Sequence, residues 1–237
     1  MIKTVLFDLD GTLLPMDQDV FVKAYFKRLA EKLAPYGYDP KKLIDGIWAG
    51  TAAMIKNDGS RTNEEVFWDC FSKMMGERVL QDKELFDEYY RVEFQEAANS
   101  CGYTADAAST VEMLKKEGYR LALATNPIFP SAATESRIRW AGLDPEIFEL
   151  YTTYENTGYC KPNPDYYRDI LQKMDCGPDE CLMVGNDVEE DMIARTIGMK
   201  VFLLKDCLIN RKNEDISGFP QGGFSDLCQY LKEEKCK

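Results

Sequence analysis

The chain has 237 residues, with 29 lysines and arginines against 41 aspartates and glutamates, a formal net charge of −12, and no histidine. The acidic excess argues against a nucleic-acid or anionic-membrane surface, and the missing histidines exclude Ser-His-Asp and Cys-His nucleophile pairs and histidine-ligated zinc. At 45% hydrophobic, 12% aromatic and 30% charged residues, the composition is globular and the length suits one large domain or a core with an insertion.

Chemistry must therefore run on carboxylates, lysines or thiols. The eight cysteines contain no C-x-x-C pair and are expected to be reduced, mostly structural thiols. Asp8 and Asp10 interrupt the first apolar run, which a signal peptide would not tolerate, and no stretch reaches the roughly 18 apolar residues of a membrane span. A soluble, cytoplasmic protein is expected.

Ile2 to Leu9 reads as a short buried strand, apolar at Val5, Leu6 and Phe7 and stopped at Gly11. From Met16 to Ala98 the periodicity is helical: Val22, Phe26, Leu29 and Leu33 share one face, as do Ile44, Ile47, Trp48, Thr51 and Ile55. Turns at Pro35-Tyr36-Gly37 and Asp58-Gly59-Ser60 separate the helices, Thr62 and Glu65 form a capping box for the third, and a fourth is predicted from Asp82 to Ala98. Trp48 and Trp68 could stack on a base or sugar, but their helical spacing is that of core residues. Lys56, Asn57 and Arg61 could touch a substrate or form a plain solvated loop.

Past Gly102, helices alternate with short apolar strands at Leu121 to Ala124, Phe148 to Tyr151, Cys181 to Val184 and Val201 to Leu204. The helices between them are predicted over Val111 to Lys116, Ser131 to Ala141 and Pro164 to Met174. This alternation is the signature of βα units and a parallel sheet. Cys207 to Gly223 reads as loop, followed by a last helix from Ser225 to Lys232. The fold class is α/β: a Rossmann-like parallel sheet core with helices on both faces, over residues 1–15 and 99–237, interrupted by an all-helical insertion over 16–98.

Four motifs sit at predicted carboxyl ends of strands or beside them, where open parallel sheets gather their ligands. Asp8 and Asp10 point the same way from the first strand and Gly11 permits a sharp turn; two such carboxylates want a hard cation such as Mg²⁺, unless they merely cap a turn. Thr125 and the amide of Asn126 are donors for a phosphate oxygen, or a plain strand exit. Lys161, pinned by Pro162 and Pro164, could neutralise an anion, or lie on a solvated surface. Asp187 offers a third carboxylate, with Asp191 one helical turn on along the same face. Glu189 and Glu190 read only as acids favoured by a helix N-terminus.

Asp8-Leu-Asp10-Gly-Thr, Thr125-Asn126, Lys161-Pro and Gly-Asn-Asp187 to Asp191, in this order, resemble the four motifs of the haloacid dehalogenase-like (HAD) hydrolase superfamily. The helical insertion resembles the cap of its first subfamily, which holds phosphoglycolate phosphatase-like and β-phosphoglucomutase-like enzymes. The resemblance implies a Mg²⁺-dependent phosphatase for a small phosphorylated metabolite. In it Asp8 is nucleophile and metal ligand, Asp10 general acid and base with its backbone carbonyl on the metal, and Asp187 the third ligand. Thr125, Asn126 and Lys161 hold the phosphoryl oxygens, and Asp191 orients Lys161. One departure is Asn186, which stands where the family commonly has glycine before the fourth-motif acid. On the family's longer spacing it would replace the ligand. A phosphomutase would use the same motifs, a noncatalytic binder could keep the fold, and Asp10 speaks against a dehalogenase. Membrane and nucleic-acid partners are not expected. Substrate, participation of Asn186, and monomer or homodimer stay open.

Overall fold

The computed structural model describes residues 1–236. Six strands form one sheet in the order β3-β2-β1-β4-β5-β6, every neighbouring pair parallel: β1 (Thr4–Phe7), β2 (Arg120–Leu123), β3 (Leu150–Tyr151), β4 (Cys181–Gly185), β5 (Lys200–Leu204) and β6 (Gln221–Gly222). Strands β1 and β4 are buried throughout, as continuous apolar runs in a sheet covered on both sides require. Alternate residues feed two cores. Val5, Phe7, Leu121 and Val184 pack with α5 (Ala105–Lys116), α6 (Ser131–Trp140) and α8 (Phe224–Lys235). Leu6, Ala122, Met183 and Leu203 pack with α7 (Pro164–Lys173) and a 3₁₀ helix over Met192–Ile197.

The register positions the site. Phe7 pairs with Leu123 on one side and Val184 on the other, so the residues that follow all three strands emerge at one edge. Chain order reverses direction at β1 and β4, the point where an open α/β sheet leaves a crevice.

Between β1 and α5 the chain forms α1 (Gln18–Leu33), α2 (Pro40–Ile55), α3 (Asn63–Met75) and α4 (Lys83–Arg91). Asp17 caps α1 by accepting from Asp19 and Val20, and the Thr62–Glu65 capping box of α3 forms in both directions. These helices share an aromatic cluster that includes Phe21, Tyr25, Phe71, Phe86, Tyr89 and Phe94. The insertion is also tied to the sheet domain: Asn63 donates to the carbonyl of Pro127 at 3.2 Å and lies 3.3 Å from Cys160 Sγ.

Three local expectations change. The fourth helix stops at Arg91 and continues as a 3₁₀ helix over Glu93–Ser100. The expected loop from Cys207 contains β6, too short to show a period. The segment after Asp187 is one turn leading into a 3₁₀ helix, not the start of an α-helix. Among the described residues no helix is long and apolar enough to cross a membrane.

Candidate active site

Asp8 continues the ladder past β1, donating its N–H to Val184 at 2.9 Å. The chain then folds back sharply, with Gly11 N–H on the Leu14 carbonyl at 2.8 Å. Gly11 has φ of +87°, and a Cβ there would stand 2.4 Å from the Asn186 side chain. Both reasons demand glycine. The turn brings the Thr12 hydroxyl within reach of Asp8 Oδ2 (3.0 Å) and Asn186 Oδ1 (2.9 Å).

The other oxygen of Asp8 accepts from Lys161 Nζ at 2.8 Å, and Lys161 also donates to Asp191 Oδ1 at 2.6 Å. All three side chains are buried. Burial works against the Lys161 charge, but Asp191 and Asp8 outweigh it and hold the ammonium well above its ordinary pKa. Burial, reinforced by Asp8, pushes Asp191 up to about 7 while Lys161 opposes; one ammonium shared by two carboxylates leaves the second without full compensation. Asp191 Oδ2 accepts from the Asp187 N–H at 2.9 Å, and the N–H of Asp191 returns to the Asp187 carbonyl at 3.0 Å. The spacing of four thus works within a single turn. Gly185 makes room for it, since a Cβ there would lie 2.1 Å from Asp191 Oδ2.

The structure brings Asp8, Asp10, Thr125, Asn126, Asp187 and Asp191 onto the walls of one crevice of about 230 Å³, with Lys161 buried behind them. Asn186 is there too, but its amide is engaged: Nδ2 donates to the Cys207 carbonyl at 2.6 Å. Lys56, Asn57 and Arg61 do not line the crevice. Asn57 instead donates to Asn63 and to the Arg61 carbonyl, and Arg61 pairs with Asp69.

Three neighbours of these site residues escape sequence reasoning. Arg137 of α6, with no exposed side-chain surface, forms an ion pair with Asp10 and stacks 4.5 Å over the Phe129 ring. Its signal was present: Ala133, Arg137 and Ala141 share a helical stripe whose other members are buried. Burial pushes the Asp10 carboxyl up, with Arg137 pulling it back and Asp8 adding to the rise. Glu190, read only as an acid favoured by a helix N-terminus, lines the crevice and accepts from Asn126 Nδ2 at 3.3 Å; burial raises its pKa. Glu189 does face outward, paired with Lys212. Arg211, in the segment read as loop, holds Asp187 Oδ2 at 2.6 Å.

The wall chemistry fits a hard divalent cation. Five carboxylates, Asp8, Asp10, Asp187, Glu190 and Asp191, face one space that none of the described lysines or arginines lines, and Asp10 Oδ1 is buried without a hydrogen-bond partner. Among the described residues no three acidic or cysteine side chains converge on one point as a preformed cage. A cation taking two carboxylates, a backbone carbonyl and waters does not need one.

A parallel sheet with a carboxylate-lined crevice at its switch point defines a Rossmann-like α/β protein with a ligand site there, and comparison with known proteins specifies it. The sequence profile of haloacid dehalogenase-like hydrolases matches residues 2–195, and the chain belongs to that family of enzymes. It is 26% identical over 199 residues to the pyrophosphatase PpaX of Bacillus cereus, covering 84% of this chain and 81% of that one. Solved structures of similar fold include a HAD phosphatase from Thermococcus onnurineus (20% identity, TM-score 0.60, 97% and 98% of the two chains). Another is a 2-haloacid dehalogenase from Pseudomonas syringae pv. Tomato (21%, 0.63, 99% and 100%).

Proposed function

We propose that the chain is a Mg²⁺-dependent phosphatase that hydrolyses a small phosphomonoester through an aspartyl phosphate on Asp8. The observation that carries this reading is the buried Asp8 carboxylate, fixed by Lys161 on one oxygen and Thr12 on the other, with a second acid two residues on. With no histidine in the chain, a positioned carboxylate is the nucleophile this site offers.

An Asp8 oxygen attacks phosphorus while the bond to the leaving oxygen breaks, and Asp10 transfers its proton to that oxygen. The raised pKa of Asp10 suits this acid role. Asp10, now a carboxylate, takes a proton from water as the water attacks phosphorus, releasing inorganic phosphate and restoring Asp8. Arg137 is a positioning residue that fixes the Asp10 carboxyl through their ion pair. Thr125, the Asn126 amide and Lys161 balance charge on the phosphoryl oxygens, the dominant contribution in this type of transfer, and Asp191 orients Lys161. Asp8, the Asp10 carbonyl and Asp187 would hold Mg²⁺, which supplies positive charge beside the phosphoryl group; Arg211 must then yield an oxygen of Asp187. The helical insertion serves as a cap that excludes water and selects the leaving group.

The test is release of inorganic phosphate from a phosphomonoester panel with Mg²⁺ and with chelator, together with labelling of the protein by [³²P]phosphoester. Expected are Mg²⁺-dependent turnover and a hydroxylamine-labile label, both lost in Asp8→Asn. Full turnover by Asp8→Asn would overturn the mechanism.

A further inference from the structure

The crevice does not end at its acidic wall. Val22, Trp48, Ile128 and Phe129 line it and also line a second cavity of about 80 Å³ between the helical insertion and the sheet domain. The rest of that second wall is largely aromatic, with Phe26, Phe67, Trp68 and Phe86 among its members, and among the described residues no charged side chain lines it. Two of its polar atoms satisfy one another, the hydroxyls of Tyr25 and Tyr90 at 2.9 Å. At the junction Trp48 is 51% exposed, although its ring lies 5.5 Å from that of the buried Phe26. An exposed tryptophan opening onto an apolar cavity is the pattern of a recognition surface.

The cations near the site and the cleft are already held by acids, including Lys83, which lies 4.7 Å over the Trp68 ring and pairs with Glu64 at 3.8 Å. Lys161 lies between Asp8 and Asp191, Arg137 is on Asp10 and Arg211 is on Asp187. None of the four lines either cavity. A second phosphate or a carboxylate on the leaving group would enter the aromatic cleft without a counter-charge, at a large desolvation cost. A hydrocarbon group would gain from the same walls.

Resting on the phosphatase reading, we propose that the substrates are monophosphates of apolar alcohols, alkyl or aromatic, with the phosphate at the acidic end and the hydrocarbon part in the cleft behind Trp48. The specificity-determining residues are Trp48 and Phe129, at the mouth, and Phe67 beyond it. Pyrophosphate, bisphosphates and phosphoglycolate are disfavoured by the same geometry.

The experiment measures, on the full chain with Mg²⁺, calorimetric binding of methyl- to hexylphosphonate and hydrolysis of the matching alkyl phosphates, pyrophosphate and 2-phosphoglycolate. Burial of a methylene in an apolar site corresponds to about fourfold in affinity. Kd should therefore fall about fourfold per methylene until the cavity is filled, and kcat/KM for the esters should rise in step. Trp48→Ala should flatten both slopes, and Trp48→Phe should largely restore them. Hydrolysis without dependence on chain length, or fastest on 2-phosphoglycolate or pyrophosphate, overturns the cleft proposal and leaves the phosphatase reading intact. Phosphonate binding that strengthens with chain length, without turnover of any ester, upholds the cleft and overturns the phosphatase. A slope unchanged by Trp48→Ala removes Trp48 and the cleft behind it from recognition.

Discussion

Replacing Arg137 by methionine keeps much of the side-chain volume and removes the charge facing Asp10. Removing one partner of a buried ion pair costs about 3–5 kcal/mol. Asp10 keeps 21% side-chain exposure while Arg137 has none, so water and protonation relieve part of the loss and the lower end, about 3 kcal/mol, is expected. A protein of this length loses about 2–4 °C in Tm per kcal/mol, which gives a drop of about 6–12 °C. Thermal unfolding followed by circular dichroism measures it, and the cycle with Asp10→Asn should return a coupling of about 2 kcal/mol. A structural role alone stops there. A positioning role adds a kinetic signature, because acid catalysis is worth about 10²–10⁴ where the leaving group needs a proton. Single-turnover phosphoryl transfer from an alkyl phosphate should fall by at least about 10², whereas 4-nitrophenyl phosphate, whose leaving group needs little help, should lose under about tenfold. Arg137→Lys should recover part of the alkyl rate. A Tm within about 2 °C of the parent, below the shift expected for even 1 kcal/mol, would refute the stability argument. Equal losses on both esters would refute the positioning.

Gly185→Ala should displace Asp191 and with it Lys161, because the added Cβ would fall 2.1 Å from the Asp191 carboxylate; activity should drop at least tenfold, more than the substitution lowers Tm, as steady-state kinetics beside thermal unfolding will show. In chelator, stability should fall as pH rises from about 4 to about 7, because Asp10, Glu190 and Asp191 have raised pKa values in the folded chain and ordinary ones when unfolded. The folded state binds more protons across that window, so urea midpoints should decline with pH, and saturating Mg²⁺ should restore them most at the upper end. Arg211→Gln frees Asp187 Oδ2; since Arg211 is 54% exposed, the lost pair is worth about 0.2–1 kcal/mol, and calorimetry should find Mg²⁺ binding about one and a half to fivefold tighter.

Local signals determined much of this protein. Short apolar runs marked β1, closed by Gly11, and β4, Pro162 and Pro164 marked the approach to α7, and the Thr62–Glu65 box marked α3. Because parallel strands in register end at one edge, their order alone was enough to gather Asp8, Thr125, Asp187 and Asp191. The pairings that span the chain were decided by tertiary structure. Arg137 meets Asp10 across 127 positions and Arg211 meets Asp187 across 24, and neither contact leaves a period in the sequence. Glu190 and Glu189 are adjacent acids of the same kind, yet the turn that replaces the expected helix sends one into the crevice and the other to Lys212. The aromatic cleft shows the same division. Helical spacing could say that Trp48 and Trp68 lie on apolar stripes, but an unfilled space arises where stripes from several helices fail to meet, and only their packing against Phe129 and the sheet fixes that.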